Sequence, residues 1–304
     1  MRPMRTTRSL AALLLVCAVA IAGCGATTIR HVTTTITRSS SSTPTTPTVA
    51  GMTTAGSDRS GGAAVTPRAQ RPPGSVLAGR SPQAILRAAA GALRHVHSYA
   101  MHAVLRQNGE RTVVNLAAAS DHRYVASTTI GRSSFELIVL SRRVYLQANR
   151  RFWLHQAGRA QAARARARRL AGRWLALPGQ SGRSLTHSLG TLAPGTLARC
   201  LTEDHGRLTV ERGRTVVGHR RAVVVRDAGN APGATPSTIA VAASGTPYPL
   251  RYIATGRTRR GGRVDVCNDG KGGGATGTIT LGRFGSAPSI QPPSGAQTGP
   301  SVAA

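Results

Sequence analysis

The stretch Tyr99-Ala100-Met101-His102-Ala103-Val104-Leu105-Arg106-Gln107-Asn108-Gly109-Glu110-Arg111-Thr112-Val113-Val114-Asn115-Leu116-Ala117-Ala118 changes the grammar of the chain. Tyr99, Met101, Ala103 and Leu105 alternate with Ala100, His102, Val104 and Arg106, a period of two that puts one row on each face of a strand. Asn108-Gly109 then supplies the left-handed backbone that a tight hairpin turn needs. Val114, Leu116 and Ala118 continue the inner row on the return strand, around the polar Asn115.

Working outward, the alternation recurs at Arg123 to Thr129, Phe135 to Leu140 and Val144 to Asn149, separated by turn residues at Asp121, Gly131 and Ser141-Arg142. Five strands joined by short turns predict an antiparallel meander. Upstream lies a marked helix: Ser81 caps it, Pro82 suits its first turn, and Ile85, Ala88, Ala89, Ala92, Leu93 and Val96 form an apolar stripe. Downstream, Gly158 to Ala171 is Ala-Arg-rich and helical in spacing, and a further helical stretch runs from Leu185 to Leu201, interrupted by Pro194. Period two then returns in Leu208 to Arg212, Thr215 to Val217, Ala222 to Arg226, Thr238 to Ala242, Leu250 to Thr255, Arg263 to Val266 and Thr278 to Phe284. The order helix, sheet, helices, sheet predicts an α+β fold. A sheet of about ten antiparallel strands twists too strongly to stay flat, so it should curl into a half-barrel with the helices covering its concave face.

The amino terminus specifies a compartment. Arg2, Arg5 and Arg8 precede an apolar run from Leu10 to Ala22, which is shorter than the roughly 20 residues of a spanning helix and has the build of an export signal. Ile21-Ala22-Gly23-Cys24 matches the lipobox of bacterial lipoproteins, which implies cleavage after residue 23, lipidation at Cys24 and attachment to the outer, extracytoplasmic face of the cell membrane. Residues 24–80 are dominated by Thr, Ser, Pro, Gly and Ala without periodicity, the composition of a disordered tether. A flexible chain of that length spans about 40 Å. Residues 81–284 form the folded domain, and residues 285–304, with Pro288, Pro292, Pro293 and Pro300, have the composition of a loose tail. Cys17 leaves with the signal, so Cys200 and Cys267 remain. In an oxidising space they suggest one disulfide, and two separate buried cysteines is the other reading.

The domain resembles the LolA-like lipoproteins of the LppX/LprG type, which carry lipids in the actinobacterial envelope. The resemblance rests on the lipobox and tether, the capped helix into Ser98-Tyr99-Ala100-Met101-His102-Ala103, a hairpin from Val144-Tyr145-Leu146 to Phe152-Trp153-Leu154, and the late Ala243-Ser244-Gly245-Thr246-Pro247-Tyr248-Pro249-Leu250-Arg251. It implies a half-barrel closed by helices, with a lipid cavity between them. The lining candidates are the inner-row aliphatics Met101, Leu105, Val114, Leu116, Leu137, Val139, Val144 and Leu146. Such side chains line a hollow or close-pack against a helix equally well, and the sequence leaves both open.

The 304 residues carry 40 Lys+Arg against 10 Asp+Glu, a formal charge of +30, and all but Lys271 of the cations are arginine. Codon bias in a GC-rich genome contributes to such an excess, so the charge alone is weak evidence for a polyanion partner. An aromatic content of 3 % is thin for a base-stacking surface, which argues against nucleic acid. Arg164, Arg166, Arg168, Arg169 and Arg173 have no acid among them and are candidates to contact an anionic lipid or polymer. Catalytic and metal signatures fail. Asp265-Val266-Cys267-Asn268-Asp269-Gly270 has Cys267 and Thr276 where a calcium loop needs oxygen ligands, and reads as a turn. Gly270-Lys271-Gly272-Gly273-Gly274 lacks P-loop spacing. His95, His97 and His102 have no acidic neighbour. Cys200, Asp204 and His205 form a nucleophile group only on paper, and no Gly-x-Ser-x-Gly elbow occurs. The expectation is a non-enzymatic lipoprotein without cofactor or metal that binds or shuttles a hydrophobic ligand, a lipid. The alternative is an envelope sensor or scaffold that binds a protein or an anionic polymer through arginine.

Overall fold

In the computed structural model the described residues are 77–298, apart from 120–122, 142, 158–160, 178, 180–188, 214, 269 and 287. The expected signal, Cys24 and most of the tether lie outside them. Helix α1 (Pro82–Arg94) begins as anticipated: the Ser81 side chain accepts a hydrogen bond from the Ala84 amide at 3.3 Å, and Pro82 occupies the first turn. It buries Ile85, Leu86, Ala89, Ala90 and Leu93, a stripe at helical spacing.

The meander follows as β1 (Ser98–Gln107), β2 (Glu110–Ala119), β3 (Arg123–Ile130), β4 (Ser133–Leu140) and β5 (Arg143–Ala148). Asn108 and Gly109 both take positive φ, 52° and 82°, which is what a two-residue hairpin turn between β1 and β2 requires. Then come helices α2 (Arg150–Ala157) and α3 (Gln161–Leu170), strand β6 (Leu175–Leu177), a 3₁₀ turn (Gly190–Leu192) and helix α4 (Pro194–Cys200). The second half of the sheet is β7 (Leu208–Val210), β8 (Thr215–Val217), β9 (Arg220–Asp227), β10 (Ser237–Ala242), β11 (Pro249–Ala254), β12 (Thr276–Gly282) and β13 (Gln297–Thr298). The order across the sheet is β13-β6-β5-β4-β3-β2-β1-β12-β11-β10-β9-β7, with β8 also on β9. Pairing is antiparallel except between β13 and β6, and the curved sheet stays open, with β13 and β7 at its ends. This is the expected α+β architecture. β12 joins its halves by pairing with β1, Met101 opposite Leu281 and Ala103 opposite Ile279.

Several expectations are corrected. Among the described residues the sheet has thirteen strands rather than about ten: eleven of the twelve alternating runs form strands, and β6 and β13 add short pairs that carry no alternation to read. Phe152-Trp153-Leu154 is not the return strand of a hairpin from β5 but lies in α2, which Asn149 starts by accepting the Phe152 amide at 2.9 Å. Pro194 opens α4 instead of interrupting a longer helix. Arg263 to Val266 forms no strand: Asp265 Oδ1 accepts the Cys267 amide at 2.6 Å, and the Asp265 amide donates to the Asn268 carbonyl at 2.8 Å, so the backbone turns. The segment expected as a tail is tied down in part, since Ile290 is buried and Gln297 and Thr298 pair with Leu175 and Ala176.

Candidate functional site

Two apolar cores meet beneath the sheet. The larger lies under β1–β6 and contains all eight candidate lining residues, from Met101 to Leu146. The smaller comprises Leu77, Ile85, Leu86, Ala89, Val225, Ile239 and Val241, where α1 covers β9 and β10. At the seam between them a pocket of about 100 Å³ remains. Leu93, Met101, Leu197, Ile239, Ile279 and Leu281 form its apolar wall, and Glu203, Asp204, His205, Asp227 and Arg251 its polar wall.

The pocket is not where the inner-row aliphatics placed it. Leu105, Val114, Leu116, Leu137, Val139, Val144 and Leu146 point inward but do not line the pocket, which Met101 alone of the eight reaches. The physical reason is α2. A helix at that position turns both Phe152 and Trp153 into the core, where Phe152 sits 5.3 Å from the Phe135 ring and 5.2 Å from Trp153. Together with Leu175, Leu189 and Leu192 they fill the space over β3–β5. Aromatic residues are few in this chain, but three of them are concentrated where the hollow was expected. Tyr99 adds a strut there, its hydroxyl donating to the Leu192 carbonyl.

The polar wall is cross-braced. Cys200, the last residue of α4, is disulfide-bonded to Cys267 with a Cα–Cα separation of 5.3 Å, which ties that helix to the turn after β11. Asn268 reinforces the tie, donating to Asp204 and to the Gly261 carbonyl, both at 2.9 Å. The His205 ring lies 2.8 Å from Asp227 through Nδ1 and 2.9 Å from the Leu201 carbonyl through Nε2. Both partners are acceptors, so the arrangement is satisfied in full only by the doubly protonated ring. Burial lowers the His205 pKa, but the hydrogen bonds to Asp227 and Leu201 and the charges of Asp227 and Asp204 outweigh it and leave it raised. Asp227 also accepts the Gly206 and Gly229 amides at 3.0 and 2.7 Å. A carboxylate buried to this degree is tolerable because its oxygens are so fully engaged.

The Glu203 and Asp265 carboxyls lie close together beside the disulfide. Burial, then Asp265 itself, holds the Glu203 carboxyl above the usual range. Burial also acts to raise Asp265, but the hydrogen bonds from Glu203, Cys267 and Asn268 prevail and lower it. These carboxyls lie with the Cys267 sulfur in a cluster within 4.8 Å, yet the sulfur is committed to the disulfide and offers no thiolate. The same bond removes the nucleophile from the Cys200, Asp204 and His205 group. His102 faces outward, its Nδ1 2.7 Å from Asn115 Oδ1. Sequence reading missed the His205–Asp227 clamp, whose members are 22 residues apart with no pattern linking them.

Arg164, Arg166, Arg168 and Arg169 lie on α3 and Arg173 precedes β6, all exposed and none of them at the pocket. No protein-family model and no curated protein sequence matches the chain. Among solved structures it is similar to the lipoprotein LppX of Mycobacterium tuberculosis, at 12% identity and a TM-score of 0.43 over 69% of this chain and 98% of that one. It is similar also to LprF from Mycobacterium bovis, at 14% identity and 0.42 over 70% and 97%, and to MucB, at 14% and 0.32 over 71% and 64%.

Proposed function

We propose that the protein is an envelope lipoprotein, anchored through acylated Cys24, that holds or shuttles a lipid between its sheet and its helices and carries out no catalysis. The observation that supports this most is the pocket at the seam of the two cores, apolar on one wall and hydrogen-bonding on the other. That division suits an acyl chain whose polar end stays at the braced wall. Its volume of about 100 Å³ accommodates only a short part of a chain, since pockets for whole ligands run to roughly 300–1,000 Å³. Occupation therefore parts the seam, with α1 moving away from β10 and β11 while the disulfide holds α4 in place. Burial of apolar ligand surface returns about 25 cal/mol per Å². No helix among the described residues is long and apolar enough to cross a membrane.

Titration with a fluorescent fatty acid tests the reading, using the full chain with Cys24→Ser so that its own acyl groups do not interfere. Saturable binding is expected, with a loss of about tenfold or more in Met101→Trp, which fills the pocket from β1. Absence of saturable binding, or unchanged affinity in Met101→Trp, overturns the proposal.

A further inference from the structure

Between Leu137 and Thr202 the chain has twelve arginines and no Asp or Glu. This segment builds β5, α2, α3, β6 and α4. Arg150 and Arg151 on α2, and Arg164, Arg166, Arg168 and Arg169 on α3, are exposed, and α2 packs directly against α3. None of the six takes part in an ion pair among the described residues, whereas His205 pairs with Asp227 and Arg263 with Asp265 in the other half of the fold. The acid nearest this segment in sequence, Glu136 on β4, is exposed on the face of the strand opposite the buried Phe135 and Leu137. Glu203, Asp204 and Asp227 line the pocket beneath β9–β12, whereas α2 packs over β4, on the far side of β1 in the sheet.

We propose that the exposed arginines of α2 and α3 dock the domain on the surface of an anionic phospholipid bilayer. Cations spaced along two helices without intervening carboxylates match the surface potential of such a bilayer, and each arginine near it contributes about 1 kcal/mol of attraction, or roughly fivefold in affinity. A protein partner fits less well. Protein interfaces centre on apolar side chains, and among the described residues the exposed large hydrophobics, Val210, Val216 and Val264, all lie outside α2 and α3. On α3 only Ala167 is buried, so the contact is electrostatic and peripheral, without insertion. The inference stands independently of what the pocket holds.

Sedimentation of the full chain carrying Cys24→Ser with phosphatidylglycerol and with phosphatidylcholine vesicles tests it. Binding is expected to phosphatidylglycerol alone and to fall steeply with salt. Replacing Arg164, Arg166, Arg168 and Arg169 together by Gln should weaken it by about 600-fold. A control in which the exposed Arg106, Arg111, Arg221 and Arg226 become Gln removes the same charge from β1, β2 and β9, and should retain most of the binding. Failure to bind phosphatidylglycerol vesicles, or equal losses in the two variants, overturns the proposal.

Discussion

Gly233 is the residue on which the polar wall turns. Its φ is +78°, and a Cβ there would strike the Asn268 amide and lie 2.9 Å from Asp204 Oδ2, the two groups that hold the 201–205 segment to the turn around Cys267. Gly233→Ala should therefore cost about 1–3 kcal/mol in chemical denaturation, and a loss below about 0.5 kcal/mol would contradict the packing described. His205 gives a pH signature. Its folded pKa lies above the ordinary 6.5, so the stability it contributes is fully present below about pH 6.5 and is lost as pH rises through the folded value. The melting temperature of the wild type should exceed that of His205→Gln most on the acid side and converge with it as pH rises. A gap that widens toward alkaline pH would refute the assignment. Neither residue was legible beforehand: a glycine among 35 carries no mark of its partner, and the clamp joins a loop to a strand end.

At the scale of elements, the strands with strict alternation and the capped helix could be read from the chain because their burial is one-sided. β1 to β4, with the Asn108-Gly109 turn, are such cases. α2 was not legible, since Phe152-Trp153 is an adjacent aromatic pair that suits a strand by propensity, and the packing against Phe135 of β4 that favours the helix is a tertiary contact. Phe152→Ala should accordingly destabilise by about 3–5 kcal/mol in denaturant unfolding, because it empties the centre of the larger core; an effect under 1 kcal/mol would mean that the ring is not packed as described. The disulfide was legible as a pair of cysteines in an exported chain but not as a brace of the pocket. Closing a loop of 67 residues corresponds to about 4 kcal/mol in the chain-entropy model. Reduction should lower the melting temperature markedly and leave Cys200→Ser/Cys267→Ser insensitive to reductant. An unchanged melting curve on reduction would count against the bond.

For the whole molecule, the class of fold followed from the order of periods, whereas the location of free space did not. Inner-row aliphatics are the same residues whether they line a hollow or pack a core, and what separates the two cases here is a pair of aromatic side chains brought in by a helix. The pocket under the sheet lies at the junction of two cores, where α1 and β1 meet β11 and β12, elements far along the chain from them. Charge is uneven at this scale too: α2 and α3 carry exposed arginines and no carboxylate, whereas Glu203, Asp204 and Asp227 stand beside Arg251 around the pocket. The central claim is that the seam opens to shelter a lipid. Native mass spectrometry of the full chain with Cys24→Ser, purified without detergent, tests it most directly. The account predicts a population heavier than the apoprotein by the mass of a lipid, released on collisional activation and depleted in Met101→Trp. A single species at the apoprotein mass, unchanged after incubation with membrane lipid extract, would contradict it.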